Sequence, residues 1–153
     1  MNVPSTGSDS RAVRYLRPLA SSRSLDALAR PVAIAIAATR IGIGVGAFAR
    51  TRPALRLAGF ERPDASSVVL ARLAGARDIA LGVLLIAVRD DPARLSGAAA
   101  LATAVDAADA IAFGAALAGR DGIDRTALRN LPVAGAAVVA GSWITAQLRA
   151  QST

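Results

Sequence analysis

Four long apolar segments divide this chain, over about 31–49, 65–88, 93–119 and 132–148, and each opens beside a proline: Pro31, Pro63, Pro92 and Pro132. A bilayer crossing takes about 20 predominantly apolar residues. The fourth segment runs without a charge from Asn130 to Leu148, with Trp143 near its end, where interfacial aromatic belts sit. The stretches Ile79 to Val88, Leu95 to Val105 and Ala110 to Gly119 lack the polar stripe that a soluble amphipathic helix shows at every turn. A soluble bundle of 153 residues could not bury four helices that are apolar all round. The pattern predicts an all-α fold, a four-helix transmembrane bundle within residues 28–149, preceded by a flexible basic tail over 1–27.

Local signals set the expected helix ends. Asp64 and Asp91 stand as N-caps, Pro92 follows at the first helical position, and Asn130 precedes Pro132, so orphan N–H groups are met where proline has none to offer. Stops fall at Arg50-Thr51-Arg52-Pro53, at Arg89-Asp90-Asp91-Pro92 and at Gly119-Arg120-Asp121-Gly122. A short interfacial turn capped by Asp124 is expected over 124–129. The first apolar run, broken by Arg40 and without a convincing cleavage site, makes a poor signal peptide.

Composition removes much chemistry. With no Cys and no His, disulfides, zinc or iron–sulfur centres, His- or Cys-held haem and Ser-His-Asp or Cys-His units are absent, and no metal site or cofactor is expected. All 18 basic residues are Arg, which removes Schiff-base lysines and a Walker lysine as well. The net charge of +7 does not indicate nucleic acid, because the arginines lie between apolar runs rather than among stacking aromatics. With the N-terminus inside, eight arginines (11, 14, 17, 23, 30, 89, 94, 149) face the cytoplasm and seven (50, 52, 56, 62, 120, 125, 129) the other side. That small excess places both termini in the cytoplasm.

The charges inside the apolar segments are Arg40, Arg72, Arg77, Asp78, Asp106 and Asp109. Residues 40, 77 and 106 fall near the midpoints of the first three segments, hence at similar depth. Each such charge costs roughly 3 kcal/mol at a bilayer centre, so they should pair across helices inside the bundle. Asp106 and Asp109, three residues apart, lie about 60° apart around the third helix and share a face, with Thr103 one turn back. Arg40 and Arg77 are the cations available to them. Arg72 points away from Arg77 and Asp78 and either faces a further helix or snorkels toward the interface. Gly42 and Gly46 (a G-x-x-x-G spacing) and Gly75 and Gly82 (seven apart) are the small residues expected at helix contacts.

The segment Ala71-Arg72-Leu73-Ala74-Gly75-Ala76-Arg77-Asp78-Ile79-Ala80-Leu81-Gly82 reads R-x-x-G-x-R-D-x-x-x-G. It resembles the signature of small four-span membrane proteins of unknown function common in actinobacteria and, more distantly, the DoxX-like group; Arg40-Ile41-Gly42 and Asp106 to Asp109 look similar to that pattern too. The resemblance covers about residues 32–147 and implies a four-helix integral protein of the plasma membrane, with no established reaction. DoxX-like proteins are linked to redox membrane complexes, whereas this chain has no residue type to hold a metal cofactor.

These observations predict a non-enzymatic accessory or structural subunit, in contact with lipid and with a larger membrane complex or further copies of itself, its charges acting as an internal clamp. Two other roles stay open. The cluster could line a proton, ion or anionic-substrate path in a small transporter or channel, or Asp106 or Asp109 could serve as acid or base toward a lipid or quinone.

Overall fold

The computed structural model describes residues 21–152, which form five α-helices and no strand: α1 (Ser21–Ala49), α2 (Thr51–Leu57), α3 (Ala65–Ala87), α4 (Pro92–Gly119) and α5 (Asp124–Ser152). Three helical stretches, Leu28–Ala49, Pro92–Gly119 and Asp124–Gln151, are long and apolar enough to cross a membrane. α3 is of similar length but holds Arg72, Arg77 and Asp78 in its middle and is not among the three. Most of the expected basic tail, residues 1–20, lies outside the described residues.

The capping signals at α3 and α4 act as the sequence reads. The Asp64 carboxylate accepts from the Ser67 N–H at 2.7 Å, and hydrogen bonding by the Ser67 hydroxyl and amide holds the Asp64 carboxyl below its usual 3.8. Asp91 accepts from the Arg94 N–H at 3.1 Å, with Pro92 at the helix start. α4 ends on Arg120, in the left-handed conformation at φ 54°.

Two prolines do not start helices. α1 begins ten residues before Pro31, so residues 21–27 are helical rather than tail, and α5 begins at Asp124, eight residues before Pro132. Proline deletes one N–H and crowds the preceding turn, a local penalty of about 3 kcal/mol that packing on the opposite face can offset. Along α1, Ala29, Ala33 and Ala37 are fully buried at i, i+4 and i+8, a stripe that passes behind Pro31 while its ring faces outward. The first turns of α5 are anchored in the same way, through buried Thr126 and Ala127. The expected separate turn at 124–129 is therefore the beginning of α5, and Asn130 lies inside it. The Arg50-Thr51-Arg52-Pro53 stop hides a helix of its own: α2 carries Pro53 in its first turn, where no intrahelical donor is lost.

α3 packs antiparallel along α1, and α5 antiparallel along α4. Contact between the pairs is slighter and runs chiefly from α1 to α5. The buried core (Ala29, Ala33, Ala37, Leu85, Leu95, Ala98, Ala99, Ile144, Leu148) gathers at the end where α3 turns into α4. At the opposite end, α2 and the loop after it close onto α5. Arg125 meets Glu61 at 2.7 Å, the Asn130 amide donates to the Ala58 carbonyl at 2.9 Å, and Gly59, at φ +104°, where an L side chain would be strained, packs tightly on the Arg125–Thr126 backbone. Between the two closed ends lies the site.

Candidate functional site: a charged ladder on an apolar cavity

Arg40, 12 residues after Leu28 and nine before Ala49, sits at mid-depth on α1. Arg77 and Asp78 are central in α3, and Asp106 is central in α4. The antiparallel packing of α1 on α3 brings Arg40 to Asp78, with Nη1 donating to Oδ1 at 2.9 Å, while Nη2 donates to Asp106 Oδ2 on α4. Arg77 reaches over the same gap and holds Asp109 with two parallel bonds, Nη1 to Oδ1 at 2.9 Å and Nη2 to Oδ2 at 2.7 Å. Its Nη2 also lies 3.8 Å from Asp78 Oδ1. The five groups form an alternating ladder, Asp106–Arg40–Asp78–Arg77–Asp109, across three helices. The fork of a guanidinium suits this task, since it serves two carboxylates or grips one twice.

The ladder is graded in exposure. The Arg40 side chain is 10% exposed and that of Asp106 13%, whereas Arg77 and Asp109 are about one-third exposed. A buried ion pair offsets its desolvation only when the remaining donors and acceptors are also satisfied. Here two are not: the Nε atoms of Arg40 and Arg77 are buried and have no hydrogen-bond partner.

The ladder lines a cavity of about 490 Å³ bounded by α1, α3, α4 and α5. Most of its remaining wall is apolar and small, from Ala33, Ile36 and Ile43 on α1 to Phe113 on α4 and Ala134, Ala137 and Ile144 on α5. Thr103, one turn before Asp106, lines it too, its hydroxyl turned back to the Ala99 carbonyl at 2.8 Å. Asn130 also lines the cavity, a placement that its apparent role as a helix cap conceals in the sequence; the only signal is an amide at the head of an otherwise apolar run.

Arg72 is not part of the ladder. Its Nε lies 3.4 Å from the Thr51 hydroxyl, at the junction of α1 and α2. The predicted small residues divide. A Cβ on Gly75 would lie 2.9 Å from the Gly44 carbonyl oxygen and from the Ala47 Cβ, and one on Gly82 would lie 2.6 Å from the Ala37 carbonyl oxygen. Gly42 and Gly46 face open space; the close approach on α1 falls on Gly44 between them. Helical geometry explains this, because residues two apart lie about 160° away from each other around the axis.

Among the described residues, no group of three carboxylates is disposed to hold a metal ion. Comparison with protein-family models, with curated proteins and with solved structures found no match. The fold and the site define the protein at the level of class: a multi-span helical membrane protein with arginine–aspartate pairs buried between its helices.

Proposed function

We propose that the chain is a four-span protein of the plasma membrane, both termini cytoplasmic, whose ladder and cavity form the binding site and path of a small solute. The observation that carries this reading is that the ladder lines a cavity of about 490 Å³ instead of being packed shut, within the range of small-ligand sites. Support for a fourth crossing comes from α3 itself. Its 23 residues extend about 34 Å at 1.5 Å per residue, and Val69, Leu70, Leu73 and Val83 project outward from it, as lipid-facing residues would. Its charges are turned to the ladder or anchored on Thr51. On α3, Gly75 and Gly82 meet α1, and Arg77 and Asp78 meet α4 and α1.

The chain lacks native cysteine, so single cysteines report water access directly. Thr103→Cys and Ala137→Cys, on the cavity, should react with a membrane-impermeant maleimide, whereas Ile111→Cys and Val139→Cys, on outward faces 72% and 71% exposed to the surroundings, should stay unlabelled in lipid. Silence at both cavity positions would sink the solute path.

A second reading, an accessory subunit of a larger complex, is favoured by the same outward residues, which a partner helix could cover as well as lipid. Purification in mild detergent followed by mass spectrometry separates the two: a stoichiometric partner supports the subunit, a lone protein the solute path.

A further inference from the structure

Resting on the solute-site reading above, we propose that the cavity takes an uncharged, mainly apolar molecule bearing a hydrogen-bond acceptor of the carbonyl kind, received by Arg40 and Arg77. A census of donors on the cavity wall leads there. Thr39 and Thr103 turn their hydroxyls back to the Ala35 and Ala99 carbonyls. The Asn130 amide nitrogen donates to the Ala58 and Thr126 carbonyls. The terminal nitrogens of both guanidinium groups are engaged by Asp78, Asp106 and Asp109. Among the described residues of the wall, the buried donors left over are the Nε–H of Arg40, on a side chain nine-tenths buried, and the Nε–H of Arg77. A buried donor without a partner is costly, and native interiors supply nearly all of them with one. Two such donors, on the side chains that form the polar wall of one cavity, mark it as a place for an acceptor.

That the ligand is neutral follows from the ladder. Each of its carboxylates already accepts from a guanidinium, and both guanidinium groups already donate to carboxylates. A cation brings nothing for an Nε–H to donate to. A carboxylate ligand adds a further acidic group where aspartates already outnumber the arginines they pair with, at a depth where unmatched charge is strongly disfavoured. A neutral oxygen meets the donors and leaves every ion pair intact. The body of the ligand follows from the other walls, where Ile36, Ile43, Val133 and Ile144 offer contacts to hydrocarbon. Water can meet an Nε–H but gains nothing from that apolar surface.

Benzophenone, a neutral ketone that attaches to nearby C–H groups on irradiation, serves as the probe. The full-length protein in lipid nanodiscs is irradiated with it, and the adducts are located by peptide mass spectrometry. Saturable labelling should fall on cavity residues such as Ile36, Val133 and Ile144, and Ala137→Trp, which fills the cavity, should abolish it. Labelling of outward residues such as Ile111 and Val139 should rise without saturating, as partition into lipid does. Three competitors of one build then read the acceptor, each at a measured concentration in the membrane: dicyclohexyl ketone, dicyclohexylmethane and dicyclohexylacetate. The ketone should displace the label at roughly tenfold lower concentration than the hydrocarbon, the worth of one hydrogen bond to a charged donor, and the carboxylate should compete less well than the ketone. Arg77→Met with Asp109→Leu removes one Nε together with the carboxylate its arginine holds, and should cut the ketone's advantage at least threefold. Arg40→Met with Asp78→Leu and Asp106→Leu should do the same if the first variant fails to fold. Equal competition by ketone and hydrocarbon, or an advantage undiminished in a folded variant, overturns the acceptor while leaving a solute cavity in place. Stronger competition by the carboxylate overturns the neutral ligand. If no saturable adduct forms in the cavity, the ligand assignment fails, and the maleimide result at Thr103→Cys and Ala137→Cys decides separately whether the solute path survives.

Discussion

Arg40 is the residue on which the interior turns, since it joins carboxylates on two helices other than its own. Removing it strands Asp106 and leaves Asp78 only the longer contact with Arg77, and breaking a buried pair in this way costs about 3–5 kcal/mol. Arg40→Ala should therefore lower the melting temperature of the detergent-solubilised protein by on the order of 10 °C. Replacing all three partners together, Arg40→Met with Asp78→Leu and Asp106→Leu, should recover most of that loss, because an apolar core of similar volume can substitute for a buried ion network. Failure of the triple variant to recover would mean that the ladder fixes the helix register as well as its own charges. The depth of these residues is legible in the sequence, but their partners are not. Asp106 and Asp109 share a face and look interchangeable, yet one goes to Arg40 and the other to Arg77, a choice made by the rotation of α4 against its neighbours, which no local signal encodes.

At the scale of the helix, the contrast between Gly42 and Gly82 is testable. Even a methyl group on Gly82 would press on the Ala37 carbonyl oxygen and the Ile41 side chain, and a backbone oxygen can yield only if α1 and α3 separate. Gly82→Ala should lower the melting temperature. Gly42 faces open space, so Gly42→Ala should be neutral or raise stability by about 0.5–1 kcal/mol through helix propensity alone. Equal effects of the two substitutions would contradict the α1–α3 contact. Element ends show the same division between local and distant causes. The caps at Asp64 and Asp91 are readable because cap and helix lie within four residues of each other. Pro31 and Pro132 mislead because the same residue opens a helix or sits within one, and what decides is a buried stripe behind it or a docked neighbour, such as α2 on the start of α5. That short helix was itself hidden in a stretch whose arginines and proline read as a boundary.

For the molecule as a whole, the ion pair between Glu61 and Arg125 puts the α2–α3 and α4–α5 connections at one end, and the Arg30–Asp90 pair puts the α3–α4 connection beside the early part of α1, at the other. Four crossings then require cysteines at Glu61 and Asp121 to react with an impermeant reagent from the same side of sealed vesicles, and one at Asp90 from the opposite side. If α3 instead lay along the surface, Glu61 and Asp90 would react from the same side and Asp121 from the other. The arrangement also has a consequence for how the protein is made. Chains are synthesised from the N-terminus, so if all four long helices cross, Arg40 reaches the bilayer before any of its counter-ions, then Arg77 arrives with Asp78 beside it, and Asp106 and Asp109 come last. In that order each acidic residue would enter a membrane where an arginine already waits, so that no carboxylate would insert alone.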